Sequence, residues 1–302
     1  MGYLKYILRV SRFYFTSNKK YRENKFKRDF GYYPDLYNPI TFNEKIFRRM
    51  VMPVDEQEMT RLADKLQART RVEKIDGRLL PTLYGVFNNV DDIALHQFPD
   101  KFVLKCNHDS GSYVICTDKN SFDLDKAKEK LSRHLRMNMY YKTREWQYKN
   151  IQPCILCEEY IDTSSAEYFG FYSEIYRIHC FSANPVYIEV EYRDADSNQY
   201  TNIYDADWNV QPVQINEREN TPLSIPCPDE FSRMLFLARQ LSHGFDYCRV
   251  DMYLTKDQIY FSEFTFSPNN GREKFLPRYW DVVFGVCWND ATGSGRIAAA
   301  GK

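Results

Sequence analysis

Residues 247–266 read YCRVDMYLTKDQIYFSEFTF. Two runs rich in Tyr, Phe, Val and Met flank a polar Lys256-Asp257 turn, the pattern of an antiparallel hairpin. Strand alternation sends Arg249, Asp251 and Tyr253 to one face of the first strand, and Glu263 and Thr265 to one face of the second. With the turn near Lys256-Asp257, Asp251 lies opposite residue 262 or 263, so two carboxylates converge. Such a pair repels unless a proton or a divalent cation sits between its members, and hard oxygen donors suit Mg²⁺ bound with nucleotide phosphates. The apolar neighbours argue against a merely solvated pair, because unpaired buried charge is costly.

Working outward, Phe231, Leu235, Ala238 and Leu241 or Ser242 give a helix face starting after a Pro228-Asp229 cap. Upstream, EIYRIHCF and PVYIEVEY, separated by SAN, read as strands, and Pro153 opens another, CILCEEYI. Phe102–Lys105 and Tyr113–Cys116 are short strands joined by the small-residue turn NHDSGS; residues 125–135 are helical. Residues 1–60 are helical and basic to mixed, and helix continues from Asp64 to about Glu73. Strands mixed with helices in this order predict an α+β fold with helices on one side of the sheets, not a doubly wound parallel sheet. The expected divisions are 1–60, 61–152, 153–290 and a small-residue tail, 291–302, read as a disordered or non-native appendage.

Composition narrows the classes. The 302 residues hold 41 Lys+Arg against 41 Asp+Glu, with 43% hydrophobic and 16% aromatic residues, which excludes an intrinsically disordered chain. No apolar run approaches the roughly 18 residues of a membrane-spanning helix, and the start lacks a secretory signal pattern, so a cytoplasmic location is expected. The eight Cys, mostly in apolar runs, read as buried free thiols. Cys154 and Cys157 have CxxC spacing, but no second pair follows for zinc. Charge is uneven: residues 1–28 carry nine Lys/Arg and one acid, Glu23. Leu4, Ile7, Leu8 and Phe15 fall near one side of a helix there, so this segment can meet an anionic membrane at its inner face.

A second chemical signal is Lys105, which closes FVLK before NHDSGS. A lysine at a strand end beside a small-residue turn puts an ammonium next to free backbone N–H groups, as a phosphate chain requires. The P-loop and Rossmann glycine patterns are both absent.

The order LADKLQAR, FVLKCNHDSGSYVIC, ILCEEYI, RVDMYL, FSEFTFSPNNG resembles the ATP-grasp ligases. With NPITFNEKI and EWQYKNIQPCILCEEYI it looks most like their TupA-like branch, found in surface-polysaccharide and teichuronopeptide synthesis clusters; the resemblance spans about residues 38–285. It implies two α+β subdomains gripping ATP with Mg²⁺. Lys65 and Lys105 look like the phosphate-binding lysines, with Lys105 also catalytic, and Ser110, Gly111 and Ser112 like the loop over the triphosphate. Glu158, Tyr160 and Ile161 match the strand that meets adenine, with Glu158 facing the exocyclic amine. Asp251 and Glu263 match the Mg²⁺ carboxylates, and Arg249 the arginine that steadies the acyl phosphate. Thr265 stands where many such enzymes have Asn, so the third metal ligand becomes a hydroxyl or water.

The implied activity joins a uronic acid of a surface polysaccharide, such as a capsule, to an amino acid or other amine; nucleic acid is not an expected partner. His108, Arg177 and Arg193 are candidate substrate contacts, since arginine forks match carboxylates. A rival is a sugar-nucleotide glycosyltransferase using Asp194-Ala195-Asp196 or Asp205-Ala206-Asp207, although both triplets sit in turn-like sequence. Under the ligase reading, removing residues 1–28 leaves ATP turnover nearly intact.

Overall fold

The structure, a computed structural model, describes residues 3–53, 56–256 and 258–288; Asp257 of the expected turn and the tail 291–302 lie outside it. Five helices come first: α1 (Tyr3–Phe13), α2 (Asn18–Phe30), α3 (Phe42–Val51), α4 (Glu56–Ala63) and α5 (Lys65–Asp76). Their starts are chemically defined. At α3, Thr41 accepts from the Glu44 N–H while the Glu44 carboxylate accepts from the Thr41 N–H, a reciprocal cap. Asp64 caps α5 by accepting from Leu66 N and Gln67 N.

Next come β1 (Leu83–Phe87), β2 (Phe102–Cys106), β3 (Val114–Cys116), α6 (Leu124–Leu135), α7 (Met139–Thr143) and β4 (Ile155–Glu159). These strands form an antiparallel sheet ordered β1-β4-β2-β3. Leu131 of α6 packs with Phe102 and Leu104 beneath it. Because β4 lies between β1 and β2, the chain leaves this sheet only after Glu159, past the 152/153 division expected from the sequence.

The remainder is β5 (Glu167–Tyr168), β6 (Phe171–Phe181), β7 (Asn184–Asp194), β8 (Gln199–Asp205), β9 (Gln214–Ile215), α8 (Phe231–Leu241), β10 (Tyr247–Leu254), β11 (Ile259–Thr265), β12 (Phe275–Leu276) and α9 (Trp280–Cys287). A larger sheet runs β11-β10-β6-β7-β8. One face buries Ile178, Ile188 and Val250 against Met234, Ala238 and Leu241 of α8 and Val72 of α5. On the other, Tyr187, Phe181 and Tyr247 pack with Phe42 of α3 and Phe284 of α9. Helices therefore cover both faces, not one. The reason is strand length: β6 and β7 have 11 residues each, roughly 35 Å, so α3 and α9 cover one end and leave the other open to polar side chains. The α9 contact is backbone-close, since a Cβ on Gly285 would fall 2.1 Å from the Ile40 carbonyl oxygen.

Two other expectations are corrected. The cap residue of α8 is Glu230, with no side-chain cap, in place of Pro228-Asp229. Both D-x-D triplets are turn chemistry, in keeping with their turn-like sequence. Asp194 accepts from Asn198, and Asp205 from the N–H groups of Asp207 and Asn209. The basic segment is also no detachable tail. Arg22 is 2% exposed and donates to Asn270 Oδ1 at 2.8 Å and Thr143 O at 2.9 Å, while Asn270 Nδ2 donates to buried Glu145 at 2.8 Å. Phe26 of the same helix is buried against Phe47 and Leu36. Removing residues 1–28 would open this core, contrary to the expectation that turnover survives.

Candidate active site

Between the two sheets lies a cleft of about 580 Å³ whose walls carry Lys65, Lys105, Glu158, Arg249, Asp251 and Glu263. The hairpin supplies its floor. Asp251 pairs in register with Glu263 on β11 and with Arg177 on β6, and Arg177 in turn with Glu189 on β7, so the four form one row across the sheet. Residues directly opposite in antiparallel strands point to the same side and are close neighbours. The pairing resolves the sequence ambiguity: residue 263 faces Asp251. A bulge follows at once, because Met252 pairs with Phe261 and leaves Ser262 as the extra residue. Bulges bend a strand and re-aim the adjacent side chain.

Cations meet these carboxylates. Arg249 donates through Nε and Nη2 to the two Asp251 oxygens, at 2.8 and 2.7 Å. Lys65, the first residue of α5, places Nζ 3.2 Å from Glu263 Oε2 and donates to the Asp109 carbonyl at 2.9 Å. Burial pushes Asp251 up to about 6; Arg249 pulls against this and the Glu263 charge adds to it. Burial also acts upward on Glu263, but the charges of Lys65 and Arg249 outweigh it and hold that carboxyl below its ordinary value. Two acids in one row are thus pushed apart in proton affinity.

On the opposite wall, Lys105 Nζ is 2.5 Å from Glu158 Oε2, and Arg69 reaches the other oxygen at 3.0 Å. Glu158, which the resemblance sets against the exocyclic amine, lines the cleft and is held by these two cations. Its β4 position pairs with Val103, two residues from Lys105 on β2, which puts both side chains on one face. Tyr160, Ile161, Ser110, Gly111 and Ser112 all line the cleft. Ser110 and Gly111 are exposed, and Gly111 has φ +87, a left-handed conformation that only glycine takes without strain. Ser112 is buried and accepts from the Cys106 N–H at 2.9 Å, pinning the loop to the end of β2.

Of the remaining candidates, two lie off the cleft and two on its wall. His108 is buried behind the loop, its Nε2 bonded to the Met137 carbonyl at 3.0 Å, and does not line the cleft. The loop histidine contact comes from His134, whose Nδ1 bonds the carboxylate of Asp109; no spacing in the sequence announces that pair. Thr265 does not line the cleft either. Its hydroxyl accepts from Arg249 Nη2 at 3.2 Å and so helps position the arginine that also holds Asp251. Arg177 also lines the cleft and is paired with Glu189 and Glu191, at 2.7 and 2.6 Å. Arg193, bonded to Glu174 at 2.9 Å, stays partly exposed at the cleft wall.

Sequence reasoning also missed Asn107. It is buried, donates to the capping Asp64 at 2.9 Å, accepts from Cys154 N at 2.8 Å and so ties the start of α5 to the ends of β2 and β4. All eight cysteines are free thiols; six are buried as expected, while Cys227 is exposed and Cys287 half-buried. No group of three His, Cys, Asp or Glu suited to a metal occurs among the described residues, so the acid pair offers two carboxylates. Neither D-x-D triplet lines the cleft.

The chain belongs to the family described as TupA-like ATPgrasp, whose model matches residues 44–288. Solved structures similar to it include a D-alanine–D-alanine ligase from Bacillus anthracis complexed with ATP (16% identity, 68% of this chain and 55% of that one, TM-score 0.39). Others are the ATP-grasp ligase PsnB complexed with a phosphomimetic variant of minimal precursor, Mg and ADP (8%, 82% and 66%, 0.40), and a RimK domain protein from Sphaerobacter thermophilus DSM 20745 (13%, 76% and 68%, 0.42). The chain spans about half the length of the first of these. No curated protein matches it.

Proposed function

We propose that the chain is an ATP-dependent carboxylate–amine ligase working through an acyl phosphate in the cytoplasm. The acid is a uronic acid of a bacterial surface polysaccharide, such as a capsule, or its precursor; the other substrate is an amino acid or similar amine. What supports this reading, in a chain of the TupA-like ATP-grasp family, is the meeting in one cleft of Lys65, Lys105 and Arg249 with Asp251 and Glu263. In the proposed reaction a substrate carboxylate oxygen attacks the γ-phosphorus of ATP and ADP departs. The amine nitrogen then attacks the acyl carbon, expels phosphate, loses a proton and leaves an amide.

Each side chain has a part in this. Lys65 and Lys105 hold phosphate oxygens, and the exposed Ser110–Gly111 turn covers them and keeps out water that would hydrolyse an acyl phosphate. Tyr160 and Ile161 lie beside the base. Arg249, fixed by Asp251 and Thr265, faces the charge that develops on the acyl oxygen; removing one such preorganised donor costs about 10²–10³ in rate. Asp251 and Glu263 would hold Mg²⁺, because two adjacent carboxylates, one buried and one half-buried, that oppose each other's ionisation gain from a cation. Bound there, the metal would offset phosphate charge. Arg193, on the cleft wall, suits the uronate carboxylate.

The test is to incubate the protein with ATP, Mg²⁺, pooled uronic acids and amino acids. ADP release dependent on both pools, with a product mass equal to acid plus amine minus water, is the expected result. No ATP-dependent condensation, together with transfer of a sugar from added sugar nucleotides with release of nucleoside diphosphate, would overturn the reading in favour of the glycosyltransferase.

A further inference from the structure

Away from the cleft, α1 presents two different sides. One is docked: Tyr6 is 7% exposed and its hydroxyl accepts from Asn138 N at 3.0 Å. Phe13 lies edge-on to Tyr140 and Tyr141, with Arg144 4.4 Å from its ring. At about 100° per residue, Ile7 and Leu8 turn away from that side, and they are 48% and 56% exposed. Just beyond the helix, Tyr14 and Phe15 are 74% and 88% exposed. Lys5, Arg9 and Arg12 flank the ridge, and residues 3–20 hold five cations and no acid.

We propose that this ridge is a membrane-docking surface that lies flat on an anionic phospholipid bilayer. Ile7, Leu8 and Phe15 enter the headgroup–acyl boundary, Tyr14 sits at the interface, and Lys5, Arg12, Lys19 and Lys20 face the lipid phosphates. The charge pattern selects this occupant. A second copy would bring the same acid-free, cationic surface against itself, which is repulsive. A nucleic acid would take the cations but leave the aliphatic ridge in water. The docked side explains how the helix stays on its own domain while the ridge faces outward. The inference does not depend on the ligase reading.

The experiment is flotation of the whole protein with vesicles of phosphatidylcholine alone or containing phosphatidylglycerol. Binding to the anionic vesicles, weakened by salt and absent with phosphatidylcholine, is expected. Lys5→Gln with Arg12→Gln should weaken binding about fivefold per residue. Leu8→Ser with Phe15→Ser should weaken it about tenfold or more. These side chains are exposed, and circular dichroism on both double variants verifies retained fold. No vesicle binding, or binding that neither double variant alters, overturns the proposal. Self-association abolished by Leu8→Ser/Phe15→Ser without vesicle binding also overturns it and assigns the ridge to a second copy.

Discussion

Replacing Arg22 by Met keeps most of the volume of a buried side chain and removes its charge and its hydrogen bonds. Two bonds are lost, to Asn270 Oδ1 at 2.8 Å and to the Thr143 carbonyl at 2.9 Å. Hydrogen bonds from a charged donor contribute about 1.5–3 kcal/mol each. Removing one partner of a buried ionic cluster typically costs about 3–5 kcal/mol in all. That is a large part of the roughly 5–15 kcal/mol that keeps a domain folded, and at about 2–4 °C per kcal/mol it lowers Tm by roughly 6–20 °C. Exposed Lys20→Ala, two residues away, is the control, expected within about 0.5 kcal/mol of wild type.

The same substitution has a pH signature. Burial holds Glu145 above its ordinary value even with Arg22 opposing it, so losing the cation raises that carboxyl further. A carboxyl with a raised folded pKa loses stability as pH rises through that value, because the unfolded chain releases the proton first. The deficit of Arg22→Met should therefore be smaller near pH ~5 than near pH ~8. Thermal melts followed by circular dichroism at both pH values measure this. A variant that melts within about 2 °C of wild type at both, roughly one kcal/mol or less, would show that Arg22 does not hold α2 to the loop after β11.

Lys105→Ala and Glu263→Gln should each lower ATP turnover about 100-fold or more while leaving near-wild-type melting curves; wild-type rates in both refute the site assignment. Because Asp251 titrates at about 6 and only its ionised form binds a cation, Mg²⁺-dependent turnover should rise with pH through that value, and Asp251→Asn should abolish the residual activity; a profile flat between pH ~5 and ~7 counts against Asp251 as ligand. Gly285→Ala drives a Cβ to within 2.1 Å of the Ile40 carbonyl, so denaturant melts should show a loss near or above the upper end of the usual overpacking cost of about 1–3 kcal/mol; a change under about 1 kcal/mol would mean that α9 can shift freely.

The hairpin was readable because its chemistry and its periodicity coincide: Arg249 and Asp251 are two residues apart on a strand, and one short turn limits the partner of Asp251 to two positions. The bulge at Ser262 that settles register has no composition signal, since it depends on how β11 meets β10. Lys105 was legible from its place at a strand end before a small-residue turn, and Lys65 only through the family resemblance. The partners that hold them were not. Arg69 reaches Glu158 from α5, and His134 reaches Asp109 from α6, contacts set by tertiary placement alone. His108 was misassigned because a turn residue beside a phosphate-like loop can point either way, and here the side chain turns inward to Met137. Arg22 was hidden for the same reason. A run of cations reads as a wet surface until one of them is found meeting a buried carboxylate network.

The pairing of cations in the cleft has a consequence for the order in which ligands enter. Lys65, Lys105, Arg177, Arg193 and Arg249 each already hold a carboxylate. If Lys65 and Lys105 hold phosphate as proposed, a triphosphate would draw Lys65 from Glu263 and Lys105 from Glu158 and leave two acids without their counterions, a deficit that a divalent cation held by Asp251 and Glu263 would offset. Metal-free nucleotide should therefore compete poorly with the metal complex in a binding assay.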